Sequence, residues 1–289
     1  MSTCAVGTGD WKADTILLEK IFEAAEEWKS IVGAIDRPWL VWHVSDRWSW
    51  VQQLLILHVG WTPVVGRDPA APIPTLAPGS VFVDFNARFG FSKMWLHFVI
   101  EFSWLFCKDR LAFWHADLLC RLSTMERLAE IFESLRPGEL AAVKETGGIR
   151  NWLRWKRHRY WELVGCQTNE ASRSHWETGT GWWRHFAFHP NCPDAAERER
   201  RRSYYWDHGT GIMYWKRRYG GRVRDIPLKL VAEGHCTSIG NPRYRFTWGS
   251  PARKDLTVDL DANYQIDTIC RRLGIESLLA LYDREVEQV

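Results

Sequence analysis

His115 and Asp117 stand two residues apart at the end of the apolar run Leu111-Ala112-Phe113-Trp114. Alternate side chains of an extended chain face the same way, so this imidazole and carboxylate can converge on one ion at a strand tip. Carboxylate oxygen suits magnesium or manganese, and the imidazole tilts the choice toward manganese. The competing account is a capped strand end in which Asp117 bonds backbone amides. An apolar strand that carries a carboxylate to its C-terminal edge is also a common way for α/β enzymes to meet a phosphorylated ligand.

Two further stretches pair acids with glycines. One is Trp176-Glu177-Thr178-Gly179-Thr180-Gly181-Trp182-Trp183-Arg184; the other is Trp206-Asp207-His208-Gly209-Thr210-Gly211-Ile212-Met213-Tyr214-Trp215. Each sets an acid before Gly-Thr-Gly and aromatics after it. Glycines let backbone amides approach a ligand closely. Glu177 or Asp207 can accept a proton from a hydroxyl, and Trp182, Trp183 and Trp206 can stack on a ring. Neither stretch is a phosphate-binding loop, since no Gly-Lys-Ser/Thr follows, and neither is a dinucleotide fingerprint. The alternative is a pair of tight turns leading into helices, with the acids as caps.

Basic runs lie at Arg154 to Arg159, Arg198 to Arg202 and Lys216-Arg217-Arg218. The middle run reads as a solvated face. The other two are interleaved with Trp and Tyr, and either neutralise a diphosphate or track a nucleic-acid backbone.

These residues need a scaffold. Apolar periodicity predicts a helix over 14–31. Strands follow at 39–44, 62–66 and 80–85, separated by a helix at 48–58 and a loop at 67–79 that contains four prolines. An apolar helix is expected over 92–107, then the strand with His115 and Asp117. Ser123 and Glu126 have the spacing of a capping box, opening a helix that ends at Arg136-Pro137-Gly138. Leu140 to Val143 makes another strand. Strands alternating with helices predict an α/β fold whose central sheet is mainly parallel, with helices on both faces. From 147 to 251 periodicity fades and Trp, Arg, His and Gly accumulate, which predicts a loop-rich half. Helices return near 265–273 and 275–285. A single domain is expected over 1–289, with a helical leader at 1–36, halves at 37–146 and 147–251, and a tail at 252–289.

Composition adds bounds. Of 289 residues, 46% are hydrophobic and 25% charged, as in ordinary globular chains, which argues against disorder. A formal charge of +3 does not by itself imply nucleic acid. The seven cysteines form no C-x-x-C, so free thiols in a reducing compartment are expected, with a cytoplasmic location. Met94 to Phe106 is too short to span a bilayer. Nineteen tryptophans are an anomaly that core packing, ring stacking and interfaces all compete to explain.

The order of elements, with a strand ending at Asp46 and a later strand Phe113-Trp114-His115-Ala116-Asp117 before a helix, resembles the GT-A glycosyltransferases. In that family the corresponding motif is Asp-x-Asp, whose carboxylates hold a divalent cation on the diphosphate of a sugar nucleotide; here His115 replaces the first Asp. The resemblance covers roughly residues 37–146 well and the rest loosely. It implies a Rossmann-like GT-A fold with a nucleotide-binding half at 37–146 and an acceptor half at 147–251. It also implies transfer of a sugar from a UDP- or GDP-sugar to an acceptor, with Mn2+ or Mg2+ as cofactor. A late histidine completes the metal site in some members, and His235, after Leu228-Lys229-Leu230-Val231, occupies that place; hydrogen bonds in a loop are the other account of it. The implied roles are His115, Asp117 and His235 for metal, with Asp46, Asp84, Lys216 and Arg217 joining them in nucleotide-sugar binding. Asp207, with Glu177 second, acts on the acceptor hydroxyl, and Trp182, Trp183 and Trp206 receive the acceptor. The runner-up is a nucleic-acid-binding or nucleic-acid-modifying protein using the Arg/Trp surfaces. A histidine-based metal hydrolase ranks third, because no H-E-x-x-H spacing appears.

Overall fold

The computed structural model describes residues 11–69, 71–91, 94, 96–144, 159–183, 185–204, 208–235 and 266–286. Seven strands form one mixed sheet: β1 (Pro38–His43), β2 (Thr62–Arg67), β3 (Val81–Phe82), β4 (Arg110–Trp114), β5 (Glu139–Lys144), β6 (Tyr160–Thr168) and β7 (Arg222–Ile226), in the order β3-β2-β1-β4-β6-β5-β7. All neighbours are parallel except the two pairings of β6, which runs against β4 and β5. The helices are α1 (Trp11–Val32), α2 (Asp46–His58), α3 (Leu96–Glu101), α4 (Ser103–Phe106), α5 (Leu122–Glu133), α6 (Asn169–Glu177), α7 (Ala195–Arg202), α8 (Thr210–Arg218), α9 (Ile266–Leu273) and α10 (Glu276–Val286).

Every residue of β1 is buried, as expected of a central strand covered on both sides. Its alternating tryptophans identify the two layers. Trp39 packs edge-on against Phe132 of α5 and Trp61, with ring centroids 5.0 and 5.6 Å away. Trp42, of opposite parity, points to Phe85, which meets Trp28 of α1 at 5.2 Å. Thus α5 covers one face and α1 the other. Most described tryptophans belong to this core, including Trp48, Trp61, Trp114 and Trp182, so packing explains much of the tryptophan excess.

Several local expectations are corrected. The expected 92–107 helix is broken at Phe102 into α3 and α4, and the 80–85 strand shrinks to Val81–Phe82. The capping box does not form: α5 begins at Leu122, Ser123 lies inside it, and the Arg121 side chain at its cap makes no cap bond. The half expected to be loop-rich contributes β6 and β7 to the same sheet, besides three α-helices among the described residues. Arg201 is not on a solvated face. It is fully buried and donates to the carbonyls of Thr178 (2.7 Å), Phe186 (3.1 Å) and Gly179.

The two Gly-Thr-Gly stretches pack against each other. A Cβ on Gly211 would stand 2.4 Å from the Gly181 carbonyl oxygen. Gly209, at φ 78°, caps α8 where a Cβ would fall 1.9 Å from the Tyr160 carbonyl oxygen. Backbone-to-backbone approach therefore accounts for these glycines. Cys107, Cys120, Cys166, Cys192 and Cys270 are buried free thiols. No helix among the described residues is long and apolar enough to cross a membrane.

Candidate functional site

In an open sheet of parallel strands, ligands collect beyond the carboxyl ends where the strand order changes direction. Here that point lies between β1 and β4, since β2 and β3 continue to one side and β6, β5 and β7 to the other. His115 and Asp117 sit there, in the turn that leaves β4. The Leu118 amide donates to the His115 carbonyl at 3.2 Å, closing the turn. Gln52 of α2 pins it from below, donating from Nε2 to the carbonyls of His115 and Leu118, both at 2.8 Å.

His235 arrives from a distant part of the chain. Leu118 and His235 form an isolated antiparallel bridge, and the Leu119 amide donates to the Gly234 carbonyl at 3.1 Å. A Cβ on Gly234 would lie 1.6 Å from the Leu119 carbonyl oxygen, so this docking requires glycine. Arg121 clamps Glu233 beside it, at 2.7 and 3.0 Å. Because β6 runs antiparallel to β4, its start lies beside the end of β4, and Glu162 joins the group there; the His115 amide donates to the Leu163 carbonyl at 2.9 Å.

The side chains form a continuous chain of contacts. His235 Nε2 is 3.4 Å from Asp117 Oδ1, which is 3.6 Å from His115 Nδ1. The other ring nitrogen, His115 Nε2, is 3.4 Å from Glu162 Oε1, and His97 Nε2 is 3.2 Å from that same oxygen. The ring of His208 stacks on His97 with centroids 3.5 Å apart. Two overlapping triads, His115–Asp117–His235 and His97–His115–Glu162, each bring three ligand atoms within 4.8 Å of one another. Donor atoms of a tetrahedral site with bonds of about 2.1 Å lie about 3.4 Å apart, so both spacings fit a divalent ion. Asp117 Oδ2 and Glu162 Oε2 are buried without a hydrogen-bond partner, which also suits a cation.

The electrostatics follow from burial and these contacts. Burial lowers the affinity of His115 for a proton, but Asp117 and Glu162 outweigh it and raise its pKa to about 9. Burial pushes Asp117 up, yet His235 and His115 hold it well below the usual carboxylate range. Glu162 is likewise pushed up by burial and held well below that range, by His115, His97 and Arg159. His208 is kept neutral, mainly by burial and then by His97.

The other sequence-predicted residues lie elsewhere. Asp46 opens α2, and its Oδ1 accepts from the Thr75 amide at 2.9 Å, tying down the proline-rich loop. Asp84 pairs with Arg67 at 3.1 Å beyond β2 and β3. Lys216 donates to the Tyr160 hydroxyl at 2.6 Å and to Asp225 at 3.2 Å, while Arg217 is exposed on α8. Glu177, the last residue of α6, is exposed. Trp182 and Trp183 are buried, with Trp182 against Phe113 and Trp183 near Trp176, and so offer no open floor to an acceptor. Trp206 and Asp207 lie outside the described residues.

Sequence reasoning missed Glu162, His97, His208 and Gln52. A usable signal existed for His97: a histidine inside an otherwise apolar run must find a partner when buried. Gln52 has a testable consequence. Gln52→Leu removes both donors to the turn while keeping bulk. It is expected to cost about 1–3 kcal/mol in urea unfolding.

No protein-family model, curated protein or solved structure matches this chain. The chemistry of the sheet edge therefore carries the functional reading by itself.

Proposed function

We propose that this protein is a metal-dependent glycosyltransferase of the GT-A type, which moves a sugar from a nucleoside-diphosphate donor to an acceptor hydroxyl. The observation that carries the reading is the meeting of His115, Asp117 and His235, from two distant segments, at the strand-order switch point of an α/β sheet. The donor set fits a divalent cation: one carboxylate and two imidazoles favour manganese over magnesium.

Sugar transfer leaves negative charge on the departing diphosphate. A bound cation supplies Lewis-acid stabilisation of that charge. The chain's own residues do the rest. Asp117, His115 and His235 would hold the cation, and Gln52 fixes the turn that carries the first two. Asp46 orders the loop above β1, where the base and ribose of the donor would lie. Asp207 is the proposed proton acceptor for the acceptor hydroxyl. His208, beside it in sequence, contacts His97 of the site.

The test is a thermal-shift panel of UDP, GDP and their sugars, each with and without manganese. One nucleoside diphosphate with manganese, at a hundredfold excess over its Kd, should raise the Tm by about 4 °C. A flat panel, or binding of oligonucleotides with steep salt dependence instead, would count against transfer and for the nucleic-acid reading.

A further inference from the structure

We propose that the sheet edge carries a second cation locus, formed by His97, Glu162 and the Nε2 face of His115, which takes the same class of transition-metal ion as the Asp117–His235 locus and competes with it for His115. This goes beyond the transferase reading and does not require it.

The locus is built from three separate elements. His97 comes from α3, Glu162 from the start of β6, and His115 from the turn after β4. Glu162 Oε1 lies 3.2 Å from His97 Nε2 and 3.4 Å from His115 Nε2, close to the donor spacing of a tetrahedral ion. A second, independent observation points to a ligand. Glu162 is only 7% exposed, and its other oxygen, Oε2, is buried with no hydrogen-bond partner. A buried carboxylate oxygen left in that state is costly unless something binds it. His208, stacked flat on His97 at 3.5 Å, holds the plane of that ring. Two imidazoles and one carboxylate, the same set as at the Asp117–His235 locus, suit a transition-metal ion such as manganese, iron(II), cobalt or zinc, whereas magnesium prefers oxygen and water.

Competition follows from the chemistry of imidazole. A neutral ring has one lone pair and one N–H. When Nε2 of His115 binds an ion, its Nδ1 carries the proton and faces Asp117 Oδ1, 3.6 Å away. When Nδ1 binds, the proton moves to Nε2 and faces Glu162. Each carboxylate is thus a ligand in one state and the orienting acceptor in the other, the arrangement that commonly fixes a metal-bound histidine. One chain therefore holds one ion through His115, at either of two places.

The experiment titrates the chelator-stripped full chain with Co2+ alone, without nucleotide, and reads the visible absorption of the bound ion. The wild type should bind one Co2+ per chain, and millimolar Mg2+ should not displace it. Asp117→Asn and Glu162→Gln should each still bind one ion, with affinity reduced no more than about 100-fold. The double variant and His115→Ala should bind none. If Asp117→Asn fails to fold by circular dichroism, His235→Gln disables the same locus and stands in for it. Loss of Co2+ binding on Asp117→Asn or His235→Gln alone in a folded chain would overturn the proposal. So would two ions in the wild type, retention in the double variant, or displacement by Mg2+. Since no nucleotide is present, a failure of the transferase reading would leave this result unchanged.

Discussion

On the proposed transferase reading, Asp117→Asn is expected to lower sugar transfer at least about 1,000-fold while the chain keeps its fold. The reason lies in what the carboxylate touches. Asp117 Oδ1 is the oxygen shared by His235 and His115, and Oδ2 is buried with no hydrogen-bond partner, so the carboxylate has capacity left for a cation. Asparagine keeps the shape and one acceptor but carries no charge. The stabilisation by a nucleoside diphosphate with manganese should disappear in the same variant, whereas far-ultraviolet circular dichroism should not change. Removing a charge from a buried ion pair has a structural cost, because His235 and His115 lose their counter-charge. Glu162 still contacts His115 at 3.4 Å, which limits that cost. Wild-type turnover in a folded Asp117→Asn protein would refute the assignment of the donor site to this edge.

The first half of the chain was legible because its strands are short apolar runs bounded by polar turns. β1, β2, β4 and β5 all form close to where those runs lie. The tail helices also form where the 3.6-residue spacing predicts; α9 presents one apolar stripe to the core, with Ile266, Ile269, Cys270 and Leu273 all buried. β6 was illegible for a physical reason. Its nine residues include Glu162, Gly165 and Gln167, which break any apolar pattern. The strand is nonetheless buried, because each polar group has a task. Glu162 faces His115 and His97, Gln167 donates to the Ile100 carbonyl and Ser103, and Gly165 leaves room for the Phe113 ring, which a Cβ would meet at 2.6 Å. A strand that carries function on a buried surface hides the alternation that would identify it.

The candidate site divides in the same way. His115 and Asp117 were visible because they stand two residues apart just after an apolar run, although the strand ends at Trp114 and both lie in the turn beyond it. The contact of His235 with Asp117 depends on the Leu118–His235 bridge, which no local spacing encodes. The aromatic and glycine-rich stretches misled in the opposite direction. Their polarity suggested an open ligand surface, but Arg201 satisfies the carbonyls of the first turn from inside and Trp182 fills the core behind it. Glycine there serves close packing of two backbones.

Beneath that turn, Glu101→Gln is expected to stabilise the protein at alkaline pH. Glu101 is 1% exposed, and its Oε2 accepts from the Trp182 amide at 2.6 Å. Burial raises its pKa from 4.5 to about 8, against the lowering effect of the Trp182 and Trp183 amides. The folded chain therefore holds a proton that the unfolded chain has lost between these two values, and stability falls as pH rises through that window. The groups facing Glu101 act in a different range. His189 Nε2 lies 3.4 Å and His175 Nδ1 4.0 Å from Oε1. Burial lowers both, His175 to about 3 and His189 well below 6.5, so their contribution is lost as pH falls below 6.5 and is constant above it. His115, raised to about 9, also loses stability as pH rises past 6.5, but does so equally in wild type and variant. The difference between the two proteins from pH 6.5 to 8 thus isolates Glu101. Urea unfolding should show the variant gaining about 2 kcal/mol relative to wild type across that interval. The glutamine amide can donate toward His175 Nδ1, whose Nε2 bonds Gln167 Oε1, while its carbonyl keeps the Trp182 amide bonded, so the turn should survive. Parallel pH profiles for the two proteins would mean that Glu101 is ionised in the folded state and balanced by a protonated His189.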